Sequence, residues 1–394
     1  MATAVVAVGV FLGSWVLLHQ LWYANAGEIV DTPGYETYGD AIVSGQVPYR
    51  DFGVEYPPGA LLPMLAPELN ASRGDFGEYG HTFEKWMAGA GVLMLLLVAL
   101  VASPLRVLLV AVSPLLLGNL MLSRFDLWVA ALTVGALAAL LRERRTTSAV
   151  VLGAAIATKL FPAVIAPLGI VWIWHRHGRR AALTWLLQIA ATCAVVFLPF
   201  AVLSPGGIEH SFTSQLDRPL QIESLGGTML IAVHNAFGTR LHVFTTMSQN
   251  LSGTGAHAAA VVSSVLQVAA LVLVWVAYAR GPQTRERLVR YAAAAVIAFV
   301  AFGKVLSPQY MVWLIPLVPF VRSRVAQLLL VAALVLTQIE FPARYWKFVA
   351  LDPGLVTVVL WRDVVLVALF VLLVTEPRRE HVEEPALLVG GELP

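Results

Sequence analysis

Long apolar runs separated by short charged clusters set the pattern along this chain. A helix that crosses a hydrocarbon core needs about 20 predominantly apolar residues. Runs approaching that length lie near 2–23, 86–103, 106–122, 126–141, 181–204, 257–279, 289–303, 308–321, 325–341 and 355–375. The stretch 148–174 is too long for one neat span and is interrupted by Lys159-Leu160-Phe161-Pro162. Arg142, Arg144 and Arg145 precede it, and Arg176, Arg179 and Arg180 follow it. Basic loops stay cytoplasmic. Both flanks share that side only if the stretch goes out and returns as a hairpin of short helices, with Lys159 near its outer tip.

With that hairpin in place, Arg280, Arg285, Arg287, Arg290, Arg322, Arg324, Arg378 and Arg379 also fall on the cytoplasmic side. The loops 24–85, 205–256, 304–307 and 342–354 fall outside, which predicts about twelve crossings with both termini cytoplasmic. The expected fold is an all-α polytopic membrane protein. Residues 1–375 form one transmembrane domain with a large first extracytoplasmic loop, 24–85, and a second, 205–256; residues 376–394 form a cytoplasmic tail. Trp22, Trp86, Trp172, Trp174, Trp275, Trp313 and Trp361 stand near the expected span ends, as interfacial tryptophans do. Ala24-Asn25-Ala26 has the form of a signal-peptide cleavage site, but a positively charged leader region is missing, so an uncleaved first span is expected. No internal repeat of the kind found in many transporters is visible.

Composition fits this reading. The chain is 58% hydrophobic and 13% charged, against about 25% charged in a soluble domain. The net charge of +2 gives no bias towards polyanions, and no nucleic-acid partner is expected. Cys193 is the only cysteine, which excludes an intrachain disulfide and a cysteine-based metal site.

The first outer loop holds the densest polar chemistry. It opens with Glu28-Ile-Val-Asp31-Thr-Pro-Gly-Tyr35-Glu-Thr-Tyr38-Gly-Asp40. Pro33 suits the first turn of a helix, which makes Thr32 the expected N-cap and predicts a helix to about Ser44, ended by Gly45. Asp31 then stands just before the cap, facing the positive end of a helix dipole; the alternative is that Asp31 is itself the cap. Next comes Gln46-Val-Pro48-Tyr49-Arg50-Asp51-Phe52-Gly-Val-Glu55-Tyr56-Pro57-Pro58-Gly59. Residues before proline are pushed to extended conformations. Irregular backbone this close to a membrane persists where it is buried in protein or lines a cavity. A packed plug without chemistry is the other reading of this segment.

The order of motifs resembles a known family. An aspartate follows the first span, then come Gly45-x-x-Pro48-Tyr49-Arg50-Asp51-Phe52 and Glu55-Tyr56-Pro57-Pro58-Gly59. Arg124-Phe-Asp126, Lys159-Leu-Phe-Pro162 and Ser307-Pro308-Gln309-Tyr310 follow later. The series is similar to the polyprenol-phosphate-sugar-dependent glycosyltransferases of the GT-C superfamily, specifically glycosyltransferase family 87, which includes mannosyltransferases acting on phosphatidylinositol mannosides. The resemblance runs from about residue 1 to 375. It implies a GT-C-type helical bundle, a catalytic aspartate in the first outer loop, a lipid-linked donor and an inverting displacement. Asp31 best matches the aspartate position, with Asp40 and Asp51 as neighbouring acids.

Transfer from a polyprenyl phosphate needs a base for the acceptor hydroxyl, which typically contributes about 10²–10⁴-fold. It needs cations for the departing phosphate and a membrane-level groove for the prenyl chain. Asp-x-Asp, the metal motif of many nucleotide-sugar enzymes, is missing from the sequence, so neither a metal nor a cofactor is expected and side-chain cations carry the charge. Candidates are Lys159, Lys304, Arg124 and Arg218. A lysine at a membrane-helix centre costs about 2.5–3.5 kcal/mol on insertion scales, so each lysine needs a cause: a bound phosphate, or snorkelling to the interface. Arg124 has Asp126 as an alternative partner, and Arg218 lies among Asp217, Gln221 and Glu223, where a solvated face is an equal reading. Tyr35, Tyr49, Arg50, Asp51, Glu55 and Tyr56 are candidate substrate contacts. So are His234, with a purely structural histidine as the alternative, and Gln309 and Tyr310, with Tyr310 also suited to anchoring at the interface.

These readings converge on a membrane glycosyltransferase. It would move a hexose, mannose in the first instance, from polyprenyl phosphate to a lipid or glycan acceptor on the outer face of the cell membrane. A lipid or sugar transporter is the rival from another class, and it should place its charges near the midplane between repeats. A non-catalytic envelope scaffold is the third.

Overall fold

The computed structural model describes residues 2–20, 30–71 and 75–375. Trp22, Ala24-Asn25-Ala26, Glu28 and the expected tail 376–394 lie outside the described residues. Helix α1 (Ala2–Leu18) is followed by α2 (Thr32–Val43) and α3 (Leu61–Glu68) of the first loop, then α4 (Phe76–Ala99). Among the described residues, four segments are long and apolar enough to cross a membrane: α4, Phe161–Leu203, α13 (Ala256–Ala279) and α18 (Pro353–Thr375). The chain is a helical membrane protein.

The expected hairpin at 148–174 takes the form of α9 (Arg145–Thr158), a break at Lys159-Leu160, a 3-10 turn (Phe161–Ile165) and the start of α10 (Ala166–Leu203). Pro162 explains the break, since a helix cannot run through it without losing a hydrogen bond and clashing with the preceding turn. Helix α10 is itself two helices. Gly178 has φ +82°, which only glycine adopts freely, and Trp185 of the second half returns to lie against Gly169 of the first. The basic loops gather at one end. Arg176 donates to Glu143 Oε1 at 3.3 Å and to the Gln283 carbonyl at 3.3 Å, and His177 Nε2 lies 2.7 Å from Glu143 Oε2.

Two expected spans are not regular helices. Residues 106–122 form α5 (Pro104–Ala111), α6 (Ser113–Leu117) and α7 (Leu120–Ser123). Pro114 starts the second piece, and Gly118, at φ +75°, ends it. Residues 308–321 hold Pro308, Pro316 and Pro319 and make only a 3-10 turn (Pro308–Tyr310), α15 (Met311–Leu314) and a second 3-10 turn (Val318–Phe320). Met311, Val312, Trp313 and Leu314 are all buried, so this irregular backbone sits where protein surrounds it. Against it packs α14 (Arg285–Ala301), buried continuously from Tyr291 to Ala298. A helix apolar and covered on all sides is a core element.

Among the described residues, the remaining α-helices are α8 (Asp126–Leu141), α11 (Pro205–Leu216), α12 (Leu225–Phe237), α16 (Arg324–Glu340) and α17 (Tyr345–Val349). The second loop also contains an antiparallel hairpin, β1 (Leu241–Thr246) and β2 (Ser248–Gly253), which the all-α expectation did not include. Of the tryptophans placed at interfaces, Trp86, Trp174 and Trp361 are exposed, whereas Trp172 and Trp313 are fully packed inside.

Candidate active site

Pro33 starts α2 as expected, but Asp31, not Thr32, occupies the N-cap position, and its carboxylate makes no capping hydrogen bond. Asp31 Oδ2 forms an ion pair with Arg124 Nη1 and accepts the Tyr35 hydroxyl at 3.3 Å. Arg124 is extended between α7 and α8 and buried.

Two residues on, Asp126 opens α8. Asp126 Oδ1 accepts Lys159 Nζ at 2.7 Å and Trp313 Nε1 at 2.5 Å. Lys159 is extended at the end of α9, so its side chain turns back towards α8. The ammonium lies 4.7 Å from the Phe125 ring centre, 5.2 Å from Trp313 and 5.8 Å from Tyr310. Such contacts gain strength when water is excluded. Trp313 is sandwiched between Phe161 at 3.9 Å and Tyr310 at 4.0 Å.

Accessibility divides the two acids. The Asp31 side chain is 36% exposed, and that of Asp126 is 0%. Of the two, Asp31 is the carboxylate an incoming molecule can reach. Lys159 is 12% exposed and already held by Asp126, which gives its place in an apolar surrounding a cause of its own.

The first loop closes over this group. The Tyr56 and Tyr35 rings meet edge-on at 6.1 Å, and both meet Phe125 edge-on, at 5.1 and 5.5 Å. Gly59 lets the Pro57-Pro58 turn reach the tip of α9, because a Cβ there would stand 2.7 Å from the Ala157 carbonyl oxygen. The second loop brings Arg218 close to Tyr310, where it donates to Ser248 Oγ at 2.9 Å. The hairpin holds this segment in place: Leu251 N–H donates to the Leu220 carbonyl at 2.8 Å and Ile222 N–H to the Gln249 carbonyl at 3.2 Å. Glu55 is exposed, yet enough protein lies around it that burial raises its carboxyl above the ordinary value, opposed by nearby Arg218.

Asp31, Tyr35, Tyr56, Arg124, Lys159, Arg218 and Tyr310 thus come together. Other expected site residues have different surroundings. Tyr49 is buried at φ +67° and donates its hydroxyl to the Tyr56 carbonyl at 2.7 Å. Arg50 and Asp51 pair with each other at 2.9 Å on an exposed turn, where Asp51 Oδ2 also accepts the Val47 N–H at 2.7 Å. Asp40 is exposed further along α2. Lys304 donates to the Leu216 carbonyl at 2.7 Å, and its backbone carbonyl accepts the Gln221 N–H at 3.0 Å, so it edges the Arg218 segment. Gln309 is buried beside Tyr310. His234 Nδ1 lies 2.5 Å from the Thr239 carbonyl oxygen at the end of α12, which makes that nitrogen an N–H donor and ties down the helix end.

Sequence reasoning missed Asp126 as the partner of Lys159, and Trp313 as its second ligand. It also missed a buried set behind Arg124. Arg362 donates to Asp363 Oδ1 at 2.9 Å and to the Glu223 carbonyl at 2.5 Å, while Thr228 donates to Asp363 Oδ2 at 3.1 Å. Glu340 lies buried alongside. Burial raises the Glu223 carboxyl well above the usual range, and the charge of Glu340 adds to the effect. Acids within apolar runs, at 126, 340 and 363, were the available signal.

A surface groove along α13, lined by Val265, Val268, Val272, Leu273 and Val276, is apolar and shares no lining residue with the charged site.

The family model of glycosyltransferase family 87 matches residues 55–308, more than half of the chain. Arg124, Asp126, Lys159 and Arg218 lie within the match, and Asp31 precedes it. No curated protein matches the chain.

Proposed function

The chain belongs to glycosyltransferase family 87 and is therefore a glycosyltransferase, and from that premise we propose that it transfers a hexose, mannose first among them, from a polyprenyl phosphate to a lipid or glycan acceptor at the extracytoplasmic face of the cell membrane. The observation that carries this reading is the Asp31–Arg124 pair: a reachable carboxylate touching a buried arginine, at the helix ends opposite the basic loops. About twelve crossings with both termini inside follow from the same charge asymmetry.

In this reaction the acceptor oxygen attacks the anomeric carbon as Asp31 takes its proton. The bond from that carbon to the phosphate oxygen breaks, the phosphate leaves with the electron pair, and the configuration inverts. Arg124 and Arg218 receive the growing negative charge. An arginine fork suits a phosphate because it presents paired N–H donors in a fixed plane. Arg124 holds Asp31 as a poor base while the site is free of donor. A phosphate that draws Arg124 towards itself releases Asp31 to accept a proton, which couples base strength to donor binding. Lys159 and Lys304 add positive potential from the second row. Tyr35 orients Asp31, and Tyr56 and Tyr310 offer hydroxyls and ring edges to the sugar.

The gathering of polar groups at one end of the helices favours an enzyme over a transporter, whose site belongs at the midplane. The test is incubation of membranes with radiolabelled polyprenyl-phosphate sugars and extracted lipids. Label passing into a lipid or glycan from polyprenyl-phosphate mannose supports the proposal. Label passing only from a nucleotide sugar would overturn it.

A further inference from the structure

Outside the active site, the ends of α1 and α4 bring together two imidazoles and a carboxylate. His81 and Glu84 stand three residues apart on α4, a spacing that puts both on one helix face. His19 approaches from the end of α1, and one ligand atom from each of the three residues lies within 4.8 Å of the others. Both Glu84 oxygens are 2.9 Å from His19 Nδ1, and Oε1 also accepts Trp15 Nε1 at 3.1 Å. The His19 and His81 rings are 5.8 Å apart.

We propose that His19, His81 and Glu84 form a divalent transition-metal site of the zinc type, which clamps α1 to α4 behind the active site. Two histidines and one glutamate are a donor set that suits zinc, with water completing a tetrahedron. Glu84 is 6% exposed and its orientation is fixed by Trp15, the outer-shell support expected of a ligand carboxylate. His81 is exposed and the His19 side chain is 38% exposed, which gives an ion a path from water.

The consequence lies in what α4 supports. Phe83, between the two α4 ligands, packs on Tyr35 at 5.4 Å, and Tyr35 reaches Asp31. Tyr79 donates to the Met64 carbonyl of α3 at 2.9 Å. A bound ion would fix the helix against which the Asp31 loop is built.

The test uses the full chain in detergent, purified through a tag without histidines, stripped with a chelator and titrated with zinc or magnesium. Metal content and melting temperature are the readouts. The expected result is about one zinc per chain, with a raised melting temperature and no response to magnesium. His81→Ala, which alters an exposed side chain, should keep the apo melting temperature and weaken zinc binding at least about tenfold. His19→Ala should also bind weakly, and His257→Ala, at an exposed histidine elsewhere, should bind as the parent does. Zinc well below stoichiometric amounts, or equal zinc affinity in parent, His81→Ala and His19→Ala, would overturn the proposal and leave only the His19–Glu84 ion pair.

Discussion

Asp31 and Arg124 meet as an ion pair although one precedes the first loop helix and the other ends α7. The pair joins the segment that carries the reachable acid to the segment that carries the buried cation. Removing the cation should therefore affect both donor binding and turnover. Arg124→Gln is expected to raise the donor KM and to lower kcat by about 10²–10³, the usual cost of losing one charge-stabilising donor. Arg124→Lys should recover little, because an ammonium lacks the paired N–H geometry. Steady-state kinetics with varied donor, on protein of equal monodispersity, would decide. Unchanged kcat and KM in Arg124→Gln would remove the arginine from the site.

In the Lys159–Asp126 pair the carboxylate is fully buried and the ammonium nearly so, and breaking it should act on stability first. Asp126→Ala leaves the ammonium without its partner, a change that costs about 3–5 kcal/mol in buried pairs. The combination Asp126→Leu with Lys159→Met removes both charges and should recover most of the melting temperature. Thermal unfolding in detergent checks this. A double variant no more stable than Asp126→Ala would show that the pair is not the stabilising unit.

Exposed Arg50 and Asp51 should matter little to chemistry. The Arg50 hydrogen bond, then the Val47 N–H, holds the Asp51 carboxyl down at about 2, against an ordinary 3.8. A depressed carboxyl stabilises the turn above its ordinary value and loses that contribution as pH falls towards about 2. Between pH 5 and 8 the pair contributes no pH dependence. Asp51→Asn should therefore leave the pH–rate profile over that range unchanged. A shifted profile would bring Asp51 into the reaction.

The starts and stops of elements were legible wherever one residue type decides them. Pro33 placed α2, and Pro162 with the basic flanks placed the α9–α10 hairpin with Lys159 at its tip. Asp31 was legible as a carboxylate not needed for capping. The partners of the charges were not legible, because Asp126, Lys159 and Trp313 meet only when three separate segments pack. Apolarity alone also misled: 106–122 and 308–321 read as spans, yet their prolines and Gly118 break them into short pieces that survive because protein covers them. The β-hairpin had no sequence signal, since its turn uses Met247 at φ +58° rather than the expected glycine or asparagine.

Topology can be read by thiol labelling on a Cys193→Ser background. Arg50→Cys, on the exposed first-loop turn, should react in intact cells, and Arg179→Cys, beside the Gly178 bend, only after permeabilisation. The opposite pattern would place the Asp31 site on the cytoplasmic side and exclude the proposed location.

Asp31→Asn measures the central claim most directly. The substitution keeps the side-chain shape and leaves Arg124 an amide oxygen to donate to, and Pro33 still starts α2, so the protein should insert and fold. Transfer of label from polyprenyl-phosphate mannose should fall by about two to four decades, the loss typical of a missing general base, while donor binding stays largely intact. Asp40→Asn and Asp51→Asn should each do much less. Near-normal turnover by Asp31→Asn would contradict the account, and a matching loss in Asp40→Asn or Asp51→Asn would move the base to that residue.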